Sequence, residues 1–123
     1  MEYRNKLHEV KRFYPFDKWK EAFTDGLEQY TQENCSKAQK IFDDLIAGLV
    51  DIGEGASEVK KVALFKNAIF ATNDLNSECN DSLIETGERE DLCELIDRIT
   101  IICGLDPKRY GDGEGLASKW REW

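Results

Sequence analysis

The chain has 123 residues, with 25 acids against 17 bases and a formal net charge of −8 at pH 7. That is the length of one domain with its own core and the wrong sign for a protein that grips nucleic acid by neutralising phosphates. Its longest mainly apolar stretches, 45–50 and 99–103, fall far short of the roughly 20 residues a membrane-spanning helix needs, and from the mixed opening Met1 to Lys6 no export signal is expected.

A soluble, cytoplasmic protein is expected, with one domain over residues 1–123. The apolar spacing is helical almost throughout and nowhere alternates at period two between turn signals. It predicts an all-α bundle of about five helices with a short C-terminal helical turn.

Tyr3, Leu7 and Val10 predict a short first helix that ends before Pro15, because the residue preceding a proline is pushed out of the α region. Asp17 is the expected cap of a second helix, with Trp19, Phe23, Leu27 and Tyr30 on its face, running to about Cys35. Ser36 then caps a third, whose apolar positions Ala38, Ile41, Phe42, Leu45, Ile46, Leu49 and Val50 lead to a stop at Gly53. Ser57 caps a fourth helix through Val59, Val62, Phe65 and Ile69 to about Thr72, with Leu64, Ala68, Ala71 and Leu75 widening its buried face.

From Asn73 to Asp81 the composition turns to Asn, Asp and Ser, which compete with helical hydrogen bonds and predict a break. Thr86 is the expected cap of the fifth helix, which buries Leu92, Leu95, Ile96, Ile99, Ile102 and Cys103 and stops at a left-handed Gly104. Asp106-Pro107 opens a short turn, and residues 111–115 form a glycine-rich loop before the tail. The cysteines at 35, 79, 93 and 103 match no zinc or redox spacing, and they are expected as reduced, largely buried thiols, with a disulfide as the alternative.

Function is sought in the charge. Between Asp74 and Asp97 nine acids face the single cation Arg89, while the other 99 residues balance at 16 acids and 16 bases. Solubility would be served as well by spread charges. Concentration into Glu85, Glu88, Glu90, Asp91, Glu94 and Asp97 therefore predicts a surface for a basic protein partner, steered by an attraction that weakens as salt rises. Trp120 and Trp123 either fold back over the bundle or, where exposed, serve as binding anchors.

The residues offer little for catalysis. His8 is the only histidine, so no nucleophilic triad can be assembled around a second one. Glu94 and Asp97 form an E-x-x-D pair, with Glu90 one turn earlier, of the sort that shares a magnesium ion. The pair resembles half the site of all-helical nucleotide pyrophosphohydrolases. The partner motif E-E-x-x-E is missing: Asp43 and Asp44 are adjacent, but no glutamate follows at the required offset. No cofactor is implied.

The C-terminal half carries a further pattern: Leu75-Asn76, Leu83-Ile84-Glu85-Thr86, Glu88-Arg89-Glu90, Gly104-Leu105-Asp106 and the terminal Trp120-Arg121-Glu122-Trp123. It resembles a small helical bacterial family akin to the immunity proteins of toxin systems, with Ala117-Ser118 at the usual Thr or Ser entry to the last motif. The resemblance implies a protein without an active site. It would neutralise a cognate toxin domain, basic if it is a nuclease, by presenting carboxylates where substrate phosphates would lie. An acidic mimic of nucleic acid, directed at a defence nuclease, would share the same face and differ only in its target.

Overall fold

The computed structural model describes residues 2–26 and 30–123, and every regular element among them is helical. Helix α1 (Tyr3–Glu9) tightens into a 3₁₀ turn at Val10–Phe13, followed by α2 (Phe16–Thr24), α3 (Gln32–Ile52), α4 (Glu58–Glu78) and α5 (Thr86–Ile102). Two further 3₁₀ turns, Pro107–Arg109 and Gly111–Gly113, lead into the short α6 (Leu116–Trp120). The all-α bundle expected from the spacing is the fold observed.

Local chemistry accounts for most of the boundaries. Ser57 Oγ accepts the Lys60 amide at 3.3 Å and starts α4, and Asp106 Oδ1 accepts the Lys108 amide at 3.0 Å ahead of Pro107. Gly53 (φ 85°) ends α3 and Gly104 (φ 82°) ends α5, each in the left-handed region that costs an L-residue strain. Beyond Gly104, the Leu105 amide returns to the Thr100 carbonyl at 3.1 Å.

Other boundaries depart from expectation. Helix α2 is capped by Pro15 rather than Asp17, which sits in its first turn, and it ends at Thr24 instead of reaching Cys35. Phe23 is exposed, Tyr30 is buried outside any helix, and Leu27 lies outside the described residues. Helix α3 begins five residues earlier than Ser36 suggests, because Thr31 Oγ1 takes the Asn34 amide at 3.1 Å. Val59, assigned to the buried face of α4, is 80% exposed.

Helix α4 runs past the expected end near Thr72 to Glu78, so the break predicted between Asn73 and Asp81 falls only in the last part of that stretch, where Asn80 and Asp81 are left-handed. The reason lies in where its amide side chains point. Asn73 and Asn76 are buried and bond to distant segments, so neither competes with the helical backbone. Asn76 Oδ1 accepts the Ile84 amide at 2.9 Å, holding the connection to α5 beneath the end of α4.

The α3–α4 pair packs most extensively, α2 lies on α3, and α5 is bordered by α1 with its 3₁₀ turn on one edge and by α6 on the other. One continuous core joins Leu7, Phe16 and Trp19 to Phe42, Ile46 and Leu49, then to Phe65 and Ile69, and finally to Leu92, Leu95, Ile96 and Ile99. Each such side chain contributes about 1.5–3 kcal/mol on leaving water. Phe16 is the hub of the aromatic contacts, 5.0 Å from Tyr14, 5.2 Å from Trp19 and 5.8 Å from Phe42 between ring centroids.

Lys61 is the one cation among the buried polar residues of α4. Its Nζ donates to the Glu54 carbonyl at 2.6 Å and the Cys103 carbonyl at 2.8 Å, tying the loop after α3 to the C-terminal end of α5. A cation there complements the partial negative charge of the helix end. All four cysteines are free thiols; Cys35 and Cys103 are buried, and Cys79 and Cys93 are half-buried.

Candidate functional site

Helix α5 carries the acidic residues because its other side is committed to the core. Leu92, Leu95, Ile96 and Ile99 are buried, which turns positions 90, 94 and 101 to the outside at a helical period of 3.6. Glu90, Glu94 and Ile101 are accordingly exposed.

The six acids expected on this face divide into distinct environments. Glu85, not Thr86, is the N-cap, and its amide donates to Glu88 Oε1 at 3.2 Å, so Glu88 serves the helix start. Asp91 turns to one edge, where Oδ2 accepts the Trp19 indole N–H at 3.3 Å and pairs with Lys18 Nζ at 2.8 Å. Asp97 turns to the other edge, against Gly115, so closely that a Cβ on that glycine would overlap its Oδ1. Burial there raises the Asp97 carboxyl above the ordinary range.

Glu94 lies between those edges and pairs with Arg98 one turn on, Nη2 to Oε1 at 3.0 Å, while its side chain stays 67% exposed. Glu90 has no ion pair among the described residues. The outward carboxylates are thus Glu90 and Glu94, with Glu85 exposed at the entry of the helix.

The E-x-x-D pair does not converge. Glu94 faces Arg98 and Asp97 faces Gly115, and among the described residues no three His, Cys, Asp or Glu side chains gather where they could hold a metal ion. Nor is any described helix long and apolar enough to cross a membrane.

The two terminal tryptophans are held back on the bundle. Asn73 Nδ2 donates to the Trp120 carbonyl at 3.0 Å, and the same amide's Oδ1 accepts the Glu122 N–H at 2.9 Å. Trp123 is 8% exposed, so its ring belongs to the core and is not a free anchor; Trp120 is half-buried with Lys119 Nζ 4.9 Å from its ring centroid.

No family model matches this chain, and neither a curated protein nor a solved structure matches it. Its chemistry is read from its own residues.

The basic residues near the start of the chain, Lys6, Arg12 and Lys18, read from the sequence as a solvated helical face; their place along the border of α5 was not foreseen. Phe13 is 39% exposed and is overlain by Arg98, 3.8 Å from ring centroid to guanidinium carbon, and by Arg12 at 4.9 Å. This stack separates two hollows along the seam between the first 3₁₀ turn and α5, of about 270 and 180 Å³. The Arg12-Phe13 dipeptide gave a hint, an aromatic beside a cation, but its partner Arg98 lies 85 positions away.

Proposed function

We propose that this protein binds a basic protein domain, of the kind delivered by bacterial toxin systems, through the outward face of α5, and that it acts by covering that domain's working surface. The observation that carries the reading is the pair of carboxylates at Glu90 and Glu94, one turn apart and both exposed, on a helix whose opposite side is fixed in the core. A rigid helix presents such charges at low conformational cost. Glu85 extends the acidic face toward the helix entry, and the C-terminal motifs that resemble immunity proteins lie around the same helix.

The mechanism is electrostatic and steric. Glu90 and Glu94 would meet Lys or Arg side chains that otherwise engage substrate phosphates, with attraction raising the encounter rate and exclusion of water strengthening the final pairs. Asp91, Asp97 and Trp123 position the helix and its neighbours and are not counted as contact residues.

The test is the affinity of a Glu90→Gln, Glu94→Gln variant for the cognate basic domain, measured at low and high salt. Both sites are exposed, so the fold is retained. Binding weakened at least about tenfold in the variant, with a wild-type affinity that falls as salt rises, is the expected result. Equal affinity of variant and wild type at low salt would overturn the reading.

A further inference from the structure

The outward face of α5 changes character beyond Glu94. Ile101 is 62% exposed on the last turn, beside the exposed Phe13 of the 3₁₀ turn, and together with Val10 they border the hollow of about 270 Å³. Two large apolar side chains left in water around one concavity is the arrangement of a ligand site more than of a bare surface.

The rim of that hollow is cationic. Lys6, Arg12 and Arg98 border it, with Glu9 as the opposing charge. Neither Lys6 nor Arg12 reaches a carboxylate among the described residues; Arg98 pairs through Nη2 with Glu94, while its Nε is a buried donor without a partner there. In a molecule of net charge −8, this is a local reversal of sign over an apolar floor.

From this juxtaposition we infer that the hollow binds a small organic carboxylate with an apolar tail, its tail against Phe13 and Ile101 and its charge toward Lys6, Arg12 and Arg98. The size fits: at roughly 30 Å³ per water in the liquid, the hollow holds about nine waters, room for an acid the length of octanoate. The apolar floor alone would favour any alkyl chain, so the cations supply the discrimination for an anionic head. The hollow adjoins the acidic contact surface through the Glu94–Arg98 ion pair, but its tail contacts and the cations Lys6 and Arg12 lie outside that surface, so their variants test it separately.

The probe is sodium octanoate, titrated into the whole protein with the Ile101 methyl and Phe13 ring signals followed by NMR, against 1-octanol and acetate as controls. Saturable shifts at both residues with octanoate, binding at least about tenfold weaker for octanol, and none for acetate are expected. The exposed pair Lys6→Gln, Arg12→Gln should weaken octanoate at least about tenfold, and Ile101→Glu should abolish the saturation. Octanol as tight as octanoate, an unaffected Lys6→Gln, Arg12→Gln variant, or shifts equally large at the solitary exposed Val59 would each overturn the inference.

Discussion

Trp19 and Asp91 are joined across 72 positions by the indole N–H, which donates to Oδ2 at 3.3 Å. The pair docks the short α2 onto the N-terminal half of α5, and it converts one member of the acidic stripe into a structural residue. Asp91→Ala leaves the buried Trp19 donor without its acceptor, a loss of about 1–3 kcal/mol. Lys18, which contacts the same carboxylate from a side chain 65% exposed, should cost no more than about 1 kcal/mol on replacement by Ala. Urea denaturation of the two variants checks the ranking, and equal losses would mean that the ion pair, not the indole bond, fastens the helix.

Gly115 offers a second comparison. Its φ is 105° and a Cβ there would overlap Asp97 Oδ1, whereas Gly104, at φ 82°, has open space around it. Gly104→Ala is expected to cost about 1–2 kcal/mol from backbone conformation. Gly115→Ala carries that strain plus the overlap and should exceed it by about 1 kcal/mol or more. Repeating Gly115→Ala on an Asp97→Ala background removes the overlapping atom, so a double-mutant cycle by chemical denaturation should show a clear coupling.

Asp97 also shapes the pH profile. Burial raises its carboxyl above the ordinary value of 3.8, so between the two pKa values the folded state holds more protons than the unfolded one, and stability falls as pH rises through that interval. The contribution of the protonated group is complete below the ordinary value and lost above the folded one. Asp97→Asn keeps the uncharged form at every pH. Its stability relative to wild type should therefore rise from acid toward neutral pH, as read by denaturation across a pH series, while parallel profiles would contradict the burial effect.

Asn73 is the clasp of the C-terminus, because one side-chain amide serves both the Trp120 carbonyl and the Glu122 N–H. Asn73→Ala removes both bonds and leaves the partly buried Trp120 carbonyl and Glu122 N–H without their partner, at about 0.5–1.5 kcal/mol for each bond. The expected signature is local: faster amide exchange at Glu122 and quicker trimming by carboxypeptidase, with the core of α3 and α5 still protected. Unchanged exchange at Glu122 would assign the fastening to the packing of Trp123 alone.

The distribution of acids was visible from composition, yet its division was not. Periodicity puts Glu90, Glu94 and Asp97 on one side of α5, and within about a quarter-turn that is where they are. What separates them is their neighbours: Gly115 draws in Asp97, and Lys18 with Trp19 engages Asp91. The same limit explains the misplaced end of α4. Asn73 and Asn76 read as helix breakers because their usual local bonds are the only ones a sequence window contains, and the bonds they make reach 47 and 8 residues along the chain.

By itself the sequence determined the helical class, the stops at Gly53 and Gly104, the cap at Ser57 and the buried side of α5, since each depends on backbone geometry or on a period of 3.6 within a few residues. Only the tertiary structure decided which carboxylates remain outward, that Trp123 is covered, and that Phe13, Arg98 and Ile101 meet around a hollow. Those outcomes depend on which helix edges are brought together, and contacts between residues 18 to 85 positions apart leave no local periodicity to read.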